Sequence, residues 1–211
     1  ELLQSFSLHL FSKRPVEPIV DIDSFRKSLA RRVALAALQI RLNVGGRSDD
    51  PAFTFVEFNQ LDSAREGCAV CSLDMTAEPQ KWKDAILKSL SEIRKLGVYG
   101  VTMGEMERYA SSLMTDGEQL AAQGDRISHG DQLSYLMETV ANGHTFMSPE
   151  QSYVMTAKAL SSLTLEDVNN AAAELCSHVT ALKDGEPSLQ GPVIAVACTP
   201  KGLSEDDPAY C

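Results

Sequence analysis

No stretch of this 211-residue chain approaches the ~20 consecutive apolar residues that a membrane-spanning helix needs, and no signal-peptide pattern opens it. Histidine is scarce. His9, His129, His144 and His178 stand isolated, and none begins an H-E-x-x-H or H-x-x-E-H motif. Zinc needs three or four converging ligands, signalled in sequence by closely spaced pairs, so no metal centre is expected within the chain. Also missing are G-x-S-x-G, G-x-x-x-x-G-K-[ST] and G-x-G-x-x-G, which leaves a hydrolase triad and nucleotide binding without support.

Basic residues are short as well, 19 against 29 acidic, for a formal net charge of −10. That field repels phosphate backbones and anionic lipid, and so argues against nucleic acid as a partner. It would attract a cationic peptide, although the same acidity serves plain solubility. The five cysteines, at positions 68, 71, 176, 198 and 211, are odd in number and widely spread, which suits a reducing compartment.

What is present is the composition of a folded protein, with 44% hydrophobic and 23% charged residues. The expectation is one domain over residues 1–200, followed by an acidic tail over 201–211. Glu1 is not an initiator methionine, and the chain is expected to be a piece of something longer.

Leu2 to Leu10 carries a strand signal, though an imperfectly alternating one. From Ser24 to Asn43, Phe25, Leu29, Val33, Ala36, Ala37 and Ile40 recur at helical spacing, with Arg26, Lys27, Arg31 and Arg32 near the beginning and Gly45-Gly46 as the stop. Phe53 to Phe58 and Cys68 to Met75 read as a hairpin around a turn at Asp62 to Gly67. Pro79 then opens a helix through Trp82, Ile86, Leu90 and Ile93 that is expected to end at Gly97.

Thr102 with Glu105 forms a T-x-x-E capping box for the next helix, which Gly117 is expected to bend or end. Gln132 to Val140 follows a His129-Gly130 break. Ser148, Pro149 and Gln151 start another helix to about Leu160, and Thr164 with Asp167 marks a last one to about Cys176. Val193 to Cys198 is a continuous apolar run of strand length. Strands and helices are segregated, so the fold class is α+β, a mostly antiparallel sheet covered on one face by several helices.

The residues that invite a chemical reading each have a plainer one. Cys68-x-x-Cys71 lies in a strand, where residues three apart point to opposite faces, so the two sulfurs would not meet. Glu105 and Glu107 stand two apart on one helix and share no face, and Glu105 is accounted for by capping. Trp82 could anchor a partner, but its spacing with Ile86 and Leu90 favours core packing. No catalytic, metal or substrate-binding residue is assigned.

Several runs carry a resemblance. These are Arg65-Glu66-Gly67-Cys68, Thr76-Ala77-Glu78-Pro79 with Trp82, and Gly100-Val101-Thr102 with Gly104-Glu105 and Arg108-Tyr109. Glu118-Gln119-Leu120-Ala121-Ala122, Met137-Glu138 with Gly143-His144 and Met147, and Thr164 to Asn169 extend it. From Glu1 to about Pro200 the chain resembles the chloroplast stromal processing peptidase family, within the pitrilysin and mitochondrial processing peptidase superfamily.

That resemblance implies a processing-peptidase-like metallohydrolase fold. In the superfamily a catalytic domain carries H-x-x-E-H with a downstream glutamate as third zinc ligand, and the part resembled here is the following, non-catalytic domain. The two domains enclose a chamber in which substrate adds as a strand beside the zinc. The implied cofactor is therefore zinc in the preceding domain and none in this chain. The implied partners are that catalytic domain and the transit peptides of imported precursors, in the chloroplast stroma.

Relatives of the pitrilysin type hold substrate through an arginine and a tyrosine in an L-R-E-K-x-G-L-x-Y-like segment. No such segment occurs between Asn43 and Arg65, so no substrate residue is carried over. The rival expectation is a catalytically inactive paralogue that serves as a binding or scaffold subunit of a larger chloroplast assembly.

Overall fold

Phe6–Arg14 (β1) pairs antiparallel on one side with Cys68–Ala77 (β3) and on the other with Val193–Cys198 (β4). Phe55–Ser63 (β2) completes a four-stranded antiparallel sheet in the order β2-β3-β1-β4. The computed structural model describes residues 4–47, 50–64, 66–180 and 193–198. The expected tail over 201–211 lies outside them.

Among the described residues six α-helices accompany the sheet: Ile22–Gly45 (α1), Trp82–Tyr99 (α2), Met103–Ala122 (α3), His129–Ala141 (α4), Pro149–Leu160 (α5) and Leu165–Thr180 (α6). Five of them run consecutively between β3 and β4, the segregation that defines an α+β fold.

Strict alternation along β3 shows why the sheet is one-sided: Ala69, Cys71, Leu73, Met75 and Ala77 are buried, while the residues between them are half-exposed. Across the register, Leu8, Val56 and Phe58 join that inner face. It packs with buried residues of α1, α2 and α6 in one core, including Val33, Leu38, Ile93, Leu96, Val168 and Leu175. A smaller cluster of Phe25, Leu29 and Ala159 joins α1 to α5. Trp82 is 7% exposed and tilts against Phe6 with ring centroids 5.9 Å apart, a core residue in agreement with its spacing.

Several boundaries fall elsewhere than local pattern suggested. β1 runs from Phe6 to Arg14, past the expected end at Leu10, while Leu2 and Leu3 of the expected strand lie outside the described residues. Its polar end, Ser12-Lys13-Arg14, pairs with Cys71, Val70 and Ala69 because the ladder is made by backbone groups. β2 starts two residues after Phe53 and continues to Ser63, leaving a tight connection in which Gly67 has φ +64° and donates to Ser63 O.

Gly97 lies inside α2. The helix ends instead at Gly100, whose N–H donates to Leu96 O at 2.8 Å and whose φ of +71° is open to glycine without strain. Gly117 does not end α3. It faces Tyr153 of α5, and a Cβ there would stand 3.5 Å from that ring, an ordinary van der Waals contact. His129-Gly130 is the first turn of α4, capped by Ser128 through Asp131 N–H at 3.1 Å, rather than a break. In α1, Ile40 is exposed, while Leu38 and Leu42 are fully buried.

Candidate functional site

The scarce chemistry-bearing residues are each held apart and engaged locally. His9 stands on the outer sheet face with Nδ1 2.5 Å from Asp74 Oδ1, and Ser72 Oγ donates to Asp74 Oδ2 at 3.0 Å. Both engage the carboxylate and neither engages the other, so no serine–histidine nucleophile is formed. His129 is exposed, and the side chain of His178 is outside the described set. Among the described residues no three His, Cys, Asp or Glu side chains are grouped to hold a metal ion. The donor set therefore does not fit zinc.

His144 has a definite task. Its Nδ1 accepts from Ile19 N–H at 3.0 Å and its Nε2 lies 3.1 Å from Asp62 Oδ2. An accepting Nδ1 puts the ring proton on Nε2, which donates to Asp62. The ring pins the segment before α5 to the entry of α1 and to the end of β2.

Cys71 is 1% exposed on the inner sheet face while Cys68 is half-exposed on the other, and neither is in a disulfide. Burial pushes the Cys71 thiol up to about 11. A thiol so poorly ionised is neither a nucleophile nor a ready metal ligand.

Glu105 caps α3 as expected: Thr102 Oγ1 accepts from Glu105 N–H, and Glu105 Oε2 accepts from Thr102 N–H at 2.9 Å. It does more than that. Arg41 of α1 reaches it by two bonds, Nε to Oε1 at 2.9 Å and Nη2 to Oε2 at 2.7 Å, and also donates to Gly100 O at 3.1 Å. This fork, with the backbone bond, holds the Glu105 carboxyl down at about 2. Glu107 is exposed and takes no part.

The basic residues of α1 are largely spent on structure. Arg31 donates to Glu17 Oε2 at 2.6 Å and to Glu174 Oε1 at 3.2 Å, and Glu174 also receives Arg14 at 2.9 Å. Lys27 bonds Glu17 at 2.9 Å, and Arg26 pairs with Asp23 at 3.4 Å. Arg32 is exposed, with no ion pair among the described residues. The cluster ties β1, α1 and α6 together beside a cleft of about 240 Å³ that Gln60 and Asp62 close on the sheet side.

Among the described residues, α4 has an apolar side that packing leaves uncovered. Thr139 is its only buried residue, and no other helix or strand among those described packs along it. Leu133, Leu136, Met137 and Val140, at helical steps of three, one and three, are 57%, 38%, 63% and 64% exposed. The sequence from Gln132 to Val140 predicts a helix here and no function for it. The signal was the i, i+3, i+4, i+7 stripe, which by itself also fits a helix facing the core.

The chain is 41% identical over 206 residues, 98% of its length, to a protein of Oryza sativa subsp. indica named stromal processing peptidase, chloroplastic. The protein of that name from Arabidopsis thaliana is 38% identical over 206 residues. The chain spans 16% of the length of each of these curated relatives. A search of family models finds none that matches. Among solved structures, a predicted insulinase family protease from Yersinia pestis superposes on 100% of this chain with a TM-score of 0.77, using 43% of its own length, at 18% identity. That likeness is one of fold.

Proposed function

This chain is related by sequence to one segment of the stromal processing peptidases, and on that premise we propose that it is the non-catalytic domain of a zinc metalloendopeptidase that removes transit peptides from imported chloroplast precursors. Its place would be the chloroplast stroma, and the zinc would sit in a preceding domain that supplies H-x-x-E-H. The role of this domain is to close the substrate chamber, exclude bulk water and offer an acidic wall to a basic, extended peptide. Transit peptides are rich in Arg and Ser and poor in acids, which suits a chain of net charge −10.

The observation that carries this reading is the 41% identity sustained over 98% of the chain, within a sequence that has no zinc motif of its own. A match of that length on a segment without a zinc motif is what a non-catalytic domain of the enzyme would give.

The test compares this segment alone, the preceding domain alone and the two together on a precursor protein. Cleavage only by the pair, abolished by a chelator, is the expected result. Precursor cleavage by the isolated segment with bound metal would overturn it. A degenerate zinc motif in the preceding domain, with a stable multisubunit complex in place of cleavage, would replace it with the scaffold reading.

A further inference from the structure

We propose that the pocket where the end of α1 meets α2 and α3 binds a small carboxylate with an apolar, ring-sized body. This site stands apart from the peptidase-domain role, which is judged by precursor cleavage.

The walls come from three helices and one loop. Ile40 and Val44 belong to α1, Lys88 to α2, Arg108 and Tyr109 to α3, and Phe53 to the loop before β2. They bound a cavity of about 430 Å³, within the ~300 to 1,000 Å³ range of small-molecule sites. The Arg41 fork, at 2.9 and 2.7 Å from the Glu105 oxygens, fastens α1 to α3 here, and Tyr109 stands about one turn beyond Glu105. The wall that carries the phenol is therefore fixed.

The donors of the pocket are unspent, whereas its acceptors are taken. Tyr109 is 5% exposed, yet its hydroxyl has no hydrogen-bond partner among the described residues and is not one of the polar atoms sealed from solvent. Burial pushes its phenol above the ordinary value, so at neutral pH it remains a protonated donor. Arg108 lies beside it, with Cζ 5.9 Å from the ring centroid, and neither Arg108 nor Lys88 has an ion pair among the described residues. The carboxylates on the same walls are engaged elsewhere, Glu92 by Lys95 at 2.6 Å and Glu105 by Arg41 at 2.7 Å. Two cations and a phenol lining one cavity match a carboxylate, which can accept from all three.

The body of the ligand follows from the other half of the lining. Ile40 and Val44 are 42% and 65% exposed, beside Phe53 at 4%. A bare inorganic anion would leave these side chains in water, and an uncharged hydrocarbon would leave the three donors unmet. At the ~30 Å³ that one water takes in the liquid, the cavity has room for about a dozen non-hydrogen atoms. The net charge of −10 opposes an anion only at long range. Physiological salt screens exposed charges beyond about 8 Å, so the cations within the pocket decide.

The test is calorimetric titration of the 211-residue chain with naphthoate. Naphthamide, the uncharged isostere, and acetate, which lacks the apolar body, are the comparisons. Lys88→Gln with Arg108→Gln removes both cations from exposed helix positions while keeping good helix formers, and Tyr109→Phe removes only the hydroxyl. Arg32→Gln, a free cation on another part of α1, is the distant control. Unchanged melting temperatures show that the variants fold. Naphthoate should bind, with naphthamide and acetate at least about tenfold weaker. The double variant should lose at least about tenfold and no longer prefer naphthoate to naphthamide, Tyr109→Phe should lose about fivefold, and Arg32→Gln should change nothing.

No binding of naphthoate at millimolar concentration, equal binding of naphthamide, or an equal loss in Arg32→Gln overturns the site and leaves the peptidase-domain role standing. With the preceding domain present, as in the cleavage test, naphthoate should still bind. Loss of binding there would make the pocket a contact between domains and overturn the site as well. Should Tyr109→Phe misfold, the contrast between naphthoate and naphthamide in the unsubstituted chain decides in its place.

Discussion

Arg41 and Glu105, 64 residues apart in the sequence, meet through two parallel hydrogen bonds of 2.9 and 2.7 Å, so the residue that caps α3 also fastens it to α1. The Arg41 fork, ahead of the Thr102 backbone bond, holds the Glu105 carboxyl at about 2 in the folded chain, below its ordinary 4.5. A depressed folded value means that its stabilisation is fully present above about 4.5 and is lost as pH falls toward about 2. With the Glu105 side chain 18% exposed, the contribution is on the order of 2 kcal/mol after allowance for solvent screening. Glu105→Gln should therefore lower the melting temperature at pH 7 and flatten its decline between pH 4.5 and 2. Thermal melts of both proteins across that range check this, and parallel acid limbs would refute it.

Gly100 and Asn169 form a second long-range lock. Asn169 Oδ1 accepts from Val101 N–H at 2.7 Å, and a Cβ on Gly100 would stand 2.3 Å from that same oxygen. Gly100→Ala thus faces both a φ of +71° and a steric overlap, and should cost about 2 to 4 kcal/mol. Asn169→Ala should cost about 1 to 3 kcal/mol through the orphaned N–H. Because removing the amide also relieves the overlap, the double variant should be less unstable than the sum. Urea denaturation of all four proteins measures the coupling, and simple additivity would argue against it.

These locks explain why part of the structure was legible in the sequence and part was not. Helix starts were readable because their determinants are local. Thr102 with Glu105, and Ser148 with Gln151, are capping boxes whose partners stand three residues apart, and both are observed. The strand content of Cys68 to Met75 was likewise written in its own alternation. The end of β1 was not, since Ser12 to Arg14 are in the sheet only because β3 lies beside them. Nor could local pattern pair Arg41 with Glu105, His144 with Asp62 or Asn169 with Val101, contacts made across 64 to 82 residues. The α4 stripe was visible as a period, but which side the protein covers depends on tertiary packing.

The two cysteines of Cys68-x-x-Cys71 should behave as unrelated thiols. Burial raises Cys71 to about 11, and burial, then the neighbouring Cys71, raises Cys176 to about 12, so both should resist a thiol reagent at pH 8 in the native state. Half-exposed Cys68 should be modified far faster. Mass spectrometry of peptides after timed alkylation, with and without denaturant, gives the order. A Cys68–Cys71 disulfide forming under mild oxidant would contradict the opposed faces of β3.

The last prediction concerns whether His144 holds structure or metal. A histidine next to a carboxylate invites the idea of a ligand, and Asp62 lies 3.1 Å from Nε2. Yet Nδ1 is already occupied by Ile19 N–H, and no third donor among the described residues completes a set. As a structural bridge, His144 should cost about 1 to 3 kcal/mol when replaced by Ala, because the Ile19 N–H and the Asp62 carboxylate both lose their partner. His144→Asn should recover part of that loss, since its side-chain carbonyl can still accept the Ile19 N–H. Neither zinc nor a chelator should move the melting temperature of this segment, because a ligand specific to the folded state would stabilise it by mass action. A zinc-dependent rise that His144→Ala abolishes would make His144 a ligand; a partial rescue by Asn without any zinc effect fits only the bridge.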